Sequence, residues 1–427
     1  MKHWVRFFIL AALLSTLTSV TAQRSFKENF EDNTLRFDFV LAGNHQEIDV
    51  FPEQMKKEPG WAGTMRVDTD GPDYGTYRFR LVDPTSNELL FVKGFTTLFQ
   101  EWQTTAEAKK ISKSFYQGIF MPFPKKPVTL VIESRNYDGQ FEMIYQTLVD
   151  PANYFIREET ATPDVTVISG KGESHRKVDL VFLGEGYTTE QKEKFLADVQ
   201  RMTDYLFSVE PFDKNRDRFI VKAVWTPSAE KGTDVPGTRI YRNTKFNSTF
   251  YTFDVDRYLT TSDMRSVYDA LSGVTWDHFF LLVNTEMYGG GGFYNLMGIG
   301  STDHALSEKV MVHEFGHSFA GLGDEYYNSE VAYEDFYNLK VEPWEPNITT
   351  LVDFESKWKH MLKPGTPVPT PREAKFTQTL GVFEGGGYMN KGIYSPMMDC
   401  RMKSNVTNDF CPACQSAIQR IIDLHCE

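Results

Sequence analysis

The stretch "KVMVHEFGHSFAGLGDEYY" (residues 309–327) constrains this chain more than any other, because it asks one helix to pack on one face and do chemistry on another. Positions four apart share a helical face. His313 and His317 can therefore aim both imidazoles at one metal ion, with Glu314 beside them, placed to take a proton from water. Val312, Phe315 and Phe319 form the opposite, apolar stripe, which predicts packing against a sheet.

Two histidines leave a catalytic zinc site one protein ligand short, since such sites use three and keep a fourth position open. Gly321 and Gly323 suit a helix end that turns the chain back. Asp324 follows that turn and is the expected third ligand, as zinc accepts a His₂-carboxylate set. Glu325, or the later Glu330 or Glu334, could serve instead; on the blander reading Asp324 caps a turn and Glu325 is solvated.

Around the motif the chain reads as α+β and multidomain. Residues 1–22 have Lys2 and Arg6 before an apolar run that ends in Val20-Thr21-Ala22, the pattern of a cleaved export signal. No later stretch is apolar enough to span a bilayer. The expected location is therefore periplasmic, cell-surface or secreted, with no transmembrane anchor after cleavage. Residues 23–150 predict an N-terminal β-sandwich. In "LRFDFVL", Leu35, Phe37, Phe39 and Leu41 alternate with Arg36 and Asp38, the period of a half-buried strand. "YRFRLV" repeats the pattern, and "VTLVIESRNYDGQFEMIYQ" predicts a hairpin with Asp138-Gly139 in the turn and Phe141, Met143 and Tyr145 on one face. Residues 151–165 read as a linker. From 166 to 427 strands and helices alternate, as in an α/β domain. Thr188 and Gln191 form a capping box before an amphipathic helix, and "DHFFLLVNTE" is a fully apolar strand. The run Gly289 to Gly292 lacks a phosphate-loop ending and reads as a flexible turn before an edge strand, with "FYNLMGIG" a segment against which an extended peptide could pair.

The net charge of -13 argues against nucleic acid as a partner, because phosphate binding needs a basic face. Cys400, Cys411, Cys414 and Cys426 are the chain's four cysteines. In an exported chain they predict two disulfides that staple the C-terminal segment, with the pairing open. A redox dithiol or a structural zinc site is the alternative for "FCPAC".

"HEFGHSFAGLGDEY" resembles the signature of the IgA-peptidase family of zinc metallopeptidases, which are metzincin-like zincins. Relative to the usual metzincin spacing, Gly321 and Asp324 each fall one residue later, which fits this family. The resemblance implies a zincin-type α/β metallopeptidase domain over 166–427 with one catalytic zinc on His313, His317 and Asp324. It also implies a supporting methionine turn in "YSPMMDCRMKSN", with Met402 as its methionine and Met398 as the alternative. The oxyanion of peptide hydrolysis needs a donor besides the metal. Tyr326 and Tyr394 are candidates, with Tyr327 and Tyr388 behind them. The expected function is a secreted zinc endopeptidase with Glu314 as general base, acting on a protein or peptide such as immunoglobulin or another host or dietary protein. The alternative is a glycan- or protein-binding surface protein with a non-catalytic peptidase-like domain.

Overall fold

Alternating apolar residues build the N-terminal part as two antiparallel sheets in the computed structural model, which describes residues 26–65, 71–327 and 337–426. The export signal expected over residues 1–22, and the alternative ligands Glu330 and Glu334, lie outside the described residues. The strands are β1 (Phe30–Gly43), β2 (Ile48–Pro59), β3 (Tyr77–Val82), β4 (Leu89–Phe95), β5 (Lys113–Pro124), β6 (Val128–Arg135), β7 (Phe141–Val149) and the short β8 (Arg157–Glu158). One sheet has the order β5-β1-β2-β8 and the other β4-β3-β6-β7. Their inner faces meet in one core, where Phe37, Phe39 and Met121 join Phe79, Leu81 and Ile132. Each such buried side chain contributes about 1.5–3 kcal/mol. A short helix, α1 (Leu98–Gln103), plugs one end with Phe99 and Trp102.

Two expectations change here. The bulge between Ile132 and Glu133 shifts the β6–β7 register from Tyr145 to Met143, so alternation reverses at Ile144. Phe141, Met143 and Tyr145 consequently do not share a buried face: Met143 is exposed, while Ile144 and Tyr145 pack on the core. The segment expected as a linker, 151–165, includes β8, which pairs in parallel with β2 at Lys56–Lys57.

The remaining strands are β9 (Val165–Ser169), β10 (Val178–Glu185), β11 (Phe219–Val224), β12 (His278–Val283), β13 (Gly290–Phe293), β14 (Met297–Ser301), β15 (Phe383–Gly386) and β16 (Met389–Ser395). The longer helices are α2 (Lys192–Leu206), α3 (Met264–Leu271), α4 (Ser307–Ala320) and α5 (Pro412–Cys426). Six strands form a sheet of order β13-β14-β12-β10-β11-β9, with β11, β10, β12 and β14 parallel and an antiparallel strand at each edge. The capping box of Thr188 and Gln191 is present before α2. Both faces of this sheet are covered, so β10 and β12 are buried along their whole length. Phe182, Phe280 and Leu282 face α2, α4 and α5; Val181, Leu183, Phe279 and Leu281 face α3 and the N-terminal Phe115 and Phe120. Among the described residues no helix is long and apolar enough to cross a membrane.

That second interface explains the fate of Arg36 and Asp38, which period-two alternation would leave on the solvent side of β1. Both are fully buried because α3 lies across that side. Arg36 Nε donates to Asp38 Oδ1 at 2.8 Å, Arg36 Nη1 to Asp269 Oδ1 of α3 at 2.8 Å, and Lys56 Nζ to the same oxygen at 2.8 Å. Ser272 closes the network by donating to Glu58 at 2.9 Å. Tyr268 of α3 packs edge-on against Phe120.

The four cysteines are free thiols, against the two disulfides expected. Cys414 and Cys426 lie at opposite ends of α5, about 18 Å apart at 1.5 Å per residue. Cys400, Cys411 and Cys414 sit together at its start, so Cys426 has no cysteine in reach.

Because truncating one member of a buried ion network strands the others, Arg36→Ala should lower unfolding stability by about 3–5 kcal/mol in denaturant titration. Removing the exposed Lys113 partner of Glu107 should change it by less than about 1 kcal/mol. Equal effects would show that the Arg36 network does not join the two parts.

Candidate metal centre

Helix α4 buries Val312, Phe315 and Phe319 against the sheet and α5. It ends at Gly321, whose φ of 64° turns the chain back as the sequence predicts. The turn brings Asp324 under the helix, 5% exposed. His313 Nε2 and His317 Nε2 are 3.1 Å apart, and Asp324 Oδ1 lies 3.1 Å from the first and 3.3 Å from the second. For metal–nitrogen bonds near 2.0–2.1 Å, the edge of a tetrahedron is about 3.3 Å. The three atoms therefore have the spacing of one face of a tetrahedral zinc site.

Backbone carbonyls set the imidazoles. His313 Nδ1 is 3.0 Å from Arg401 O, and His317 Nδ1 is 2.5 Å from Leu322 O. With Nδ1–H donating to a carbonyl, each ring keeps its Nε2 lone pair for the centre. Asp324 Oδ2 accepts from Tyr388 Oη, whereas among the described residues Oδ1 makes no well-directed hydrogen bond although both imidazole nitrogens are close. The three atoms turn lone pairs toward a common point, the donor set a cation takes.

Without a cation, protons hold the cluster together. Burial alone would raise Asp324, but His317 and His313 keep it well below the usual carboxylate range. Burial would lower His317, yet Asp324 outweighs it and holds the imidazole up at about 9. Glu314 is raised by burial, with the two histidines pulling the other way.

Met402 is fully buried, and its Sδ would lie 2.9 Å from a Cβ placed on Gly316, so it packs directly beneath the histidine-bearing turn of α4. Its carbonyl accepts from Glu325 N at 2.8 Å, which ties the Asp324 loop to the 400–404 turn. Glu325, expected either as a ligand or as solvated, is fully buried and points away from this centre, toward the cysteines.

The centre opens into a cleft of about 880 Å³ walled by both parts of the chain, with Gln100, Glu101 and Tyr137 on the N-terminal side. Tyr326 lines it, its ring 6.5 Å from that of His313. Tyr394 does not: it pairs through its backbone with Thr349 and packs on the core. Tyr388, the other candidate on the β15–β16 hairpin, does reach the centre, where its hydroxyl donates to Asp324 Oδ2. Arg257, which carried no sequence signal, also lines the cleft, its guanidinium 5.9 Å from the Tyr326 ring.

The glycine run is a strand and not the flexible turn expected. A Cβ on Gly290 would come within 2.9 Å of Glu314 Cγ, and one on Gly292 within 2.4 Å of Glu314 O and 2.8 Å of His317 Cβ. Strand β13 thus needs glycine to lie directly against α4. Tyr258 bridges Gly290 from outside, so this edge is not open along its whole length to a pairing peptide.

Residues 167–380 and 372–422 match the model of a family described as IgA Peptidase M64, and residues 25–146 match that of the Peptidase M64 N-terminus. A search of curated proteins finds no match to the chain.

Since a Gly292 side chain would strike backbone, Gly292→Ala should push β13 off α4 and cut metal retention and activity at least about tenfold. Gly365→Ala, where a side chain meets nothing within 4 Å, should leave both within about twofold despite its positive φ. Unchanged metal content in Gly292→Ala would mean that the strand does not brace the helix.

Proposed function

The chain belongs to the M64 family of IgA peptidases, so its reaction class is peptide-bond hydrolysis, and from that premise we propose an exported zinc endopeptidase with His313, His317 and Asp324 as metal ligands and Glu314 as general base. On this reading the two N-terminal sheets are a β-sandwich accessory domain and the six-stranded sheet with α4 is a zincin-type catalytic domain. The observation that carries the proposal is the convergence of His313 Nε2, His317 Nε2 and Asp324 Oδ1 within 3.3 Å at the floor of a cleft.

A zinc ion held by these three groups would supply Lewis acidity for water activation and carbonyl polarisation. Glu314, one residue from His313 and facing the cleft, accepts the water proton and passes it to the leaving amine. Its raised affinity for protons suits a group that must take one up and give it away. Tyr388 fixes Asp324 through Oδ2, and with that hydroxyl so engaged Tyr326 and Arg257 are the better-placed donors for an oxyanion. Substrate enters as a segment of protein or peptide between the N-terminal wall and β13; immunoglobulin is one candidate of that class.

Zinc content and cleavage of a casein-type substrate test the reading together. Glu314→Gln should keep its zinc and lose about 10²–10⁴-fold in kcat. Asp324→Ala should lose the His-site metal and activity together, as should chelated wild type. Zinc retained at the histidines in Asp324→Ala would remove Asp324 from the ligand set.

His317, held up at about 9, is protonated at pH 7.5, so zinc must displace a proton to bind. Calorimetry of apo protein in buffers of different ionisation enthalpy should show release at this site of about one proton, with apparent affinity falling about tenfold per pH unit below 9. Zinc binding at this site that is flat between pH 6 and 8 would contradict the Asp324–His317 ion pair.

A further inference from the structure

Beneath the catalytic loop lies a second convergence of ligand atoms, in which Glu325, Cys400, Cys411 and Cys414 are all buried and place one donor atom each within 4.8 Å of the others. We propose that these four residues form a closed, structural zinc site, separate from the His313–His317–Asp324 centre. The spacing carries the argument. Cys400 Sγ and Cys414 Sγ are 3.8 Å apart, and Zn–S bonds of 2.3 Å give a tetrahedral S···S edge of about 3.8 Å. Cys414 Sγ and Glu325 Oε1 are 3.2 Å apart, close to the shorter sulfur–oxygen edge of the same figure.

The surroundings are those of a metal-thiolate site. The Cys411 amide donates to Cys400 Sγ at 3.2 Å, and Asn347 Nδ2 donates to Glu325 Oε1 at 3.0 Å, orienting sulfur and carboxylate from outside. Among the described residues Glu325 Oε2 has no hydrogen-bond partner although Glu325 is fully buried. A buried carboxylate left that way is costly, and a cation is what would compensate it. Three thiolates and a carboxylate on Zn²⁺ carry a net charge of about -2. The buried Lys403 ammonium, itself without a hydrogen-bond partner among the described residues, interacts electrostatically with Glu325 and Cys400 and offsets part of that charge.

A disulfide accounts for less. Joining Cys400 to Cys414 would leave Cys411 idle and Glu325 uncompensated. Zinc uses all four groups, releases the thiol protons to solvent and changes no oxidation state. With three sulfur ligands and one oxygen it has no open position, as in structural sites. Its place assigns its role. Glu325 follows Asp324 directly, and Cys400 precedes Arg401 and Met402, the residues that hold His313 and cushion the histidine-bearing turn. The ion would clamp the third catalytic ligand, the methionine turn and the start of α5 to one another.

The test is metal stoichiometry on the full mature chain, with the His313→Ala/His317→Ala variant removing the other centre. Wild type should hold about two zinc ions per chain, and the double-histidine variant about one. Cobalt in place of zinc in that variant should give an intense thiolate-to-cobalt charge-transfer band, and zinc X-ray absorption should show sulfur neighbours near 2.3 Å. Cys411→Ser/Cys414→Ser should lose that band. No zinc in the double-histidine variant, with four thiols titrating freely before any chelator is added, would overturn the proposal. So would a titration that finds a disulfide among the three. One sulfur-ligated zinc in both wild type and the double-histidine variant would sustain this site and overturn the histidine one.

Discussion

Three lone pairs from two stretches of chain stand little more than 3 Å apart in a buried place, and the rest of the structure serves that arrangement. Lone pairs so close repel one another unless a cation or protons lie between them. Two of the donors come from one rigid helix, where i and i+4 spacing supplies their proximity without further help. The third comes from a loop, and the loop must be held. Gly321 reverses the chain, Asn347 binds the backbone of Gly323 on both sides, and the Met402 carbonyl receives the Glu325 amide. Each of these contacts removes a freedom that would let Asp324 swing away.

Support from below is matched by support from the side. Glycine lets the edge strand lie directly on α4, Gly292 against its backbone and Gly290 against the Val310 and Glu314 side chains, so the helix is gripped between β13 and the core instead of resting on one face. The absence of side chains there also leaves Glu314 facing a cleft and not a packed interface. The same residues thus position the helix and keep its chemical face accessible.

The N-terminal sheets are tied into this arrangement. Their outer face carries Arg36, Asp38, Lys56 and Glu58, whose charges are paired with Asp269 and one another under α3. Buried networks of this kind add little stability over an apolar interface but tolerate few alternative dockings. The result is a cleft whose far wall, including Glu101 and Tyr137, is supplied by the N-terminal part of the chain.

Local spacing determined what is local. Helical periodicity placed His313, Glu314 and His317 on one face and Phe315 and Phe319 on another, a glycine marked the turn, and apolar runs marked β10 and β12. Tertiary structure decided everything that depends on two distant segments meeting. Whether Arg36 faces water or Asp269, whether Tyr394 or Tyr388 reaches Asp324, and whether Glu325 is solvated or shut in with three thiols are settled by docking, which pattern in one segment does not encode. A one-residue bulge reversed the faces of β7 because strand alternation has no tolerance for an extra residue. The cysteines show the division most plainly. Their number and clustering were legible, but the length of α5, which keeps Cys426 out of reach and leaves three sulfurs facing one carboxylate, becomes visible only once the helix is folded against the turn.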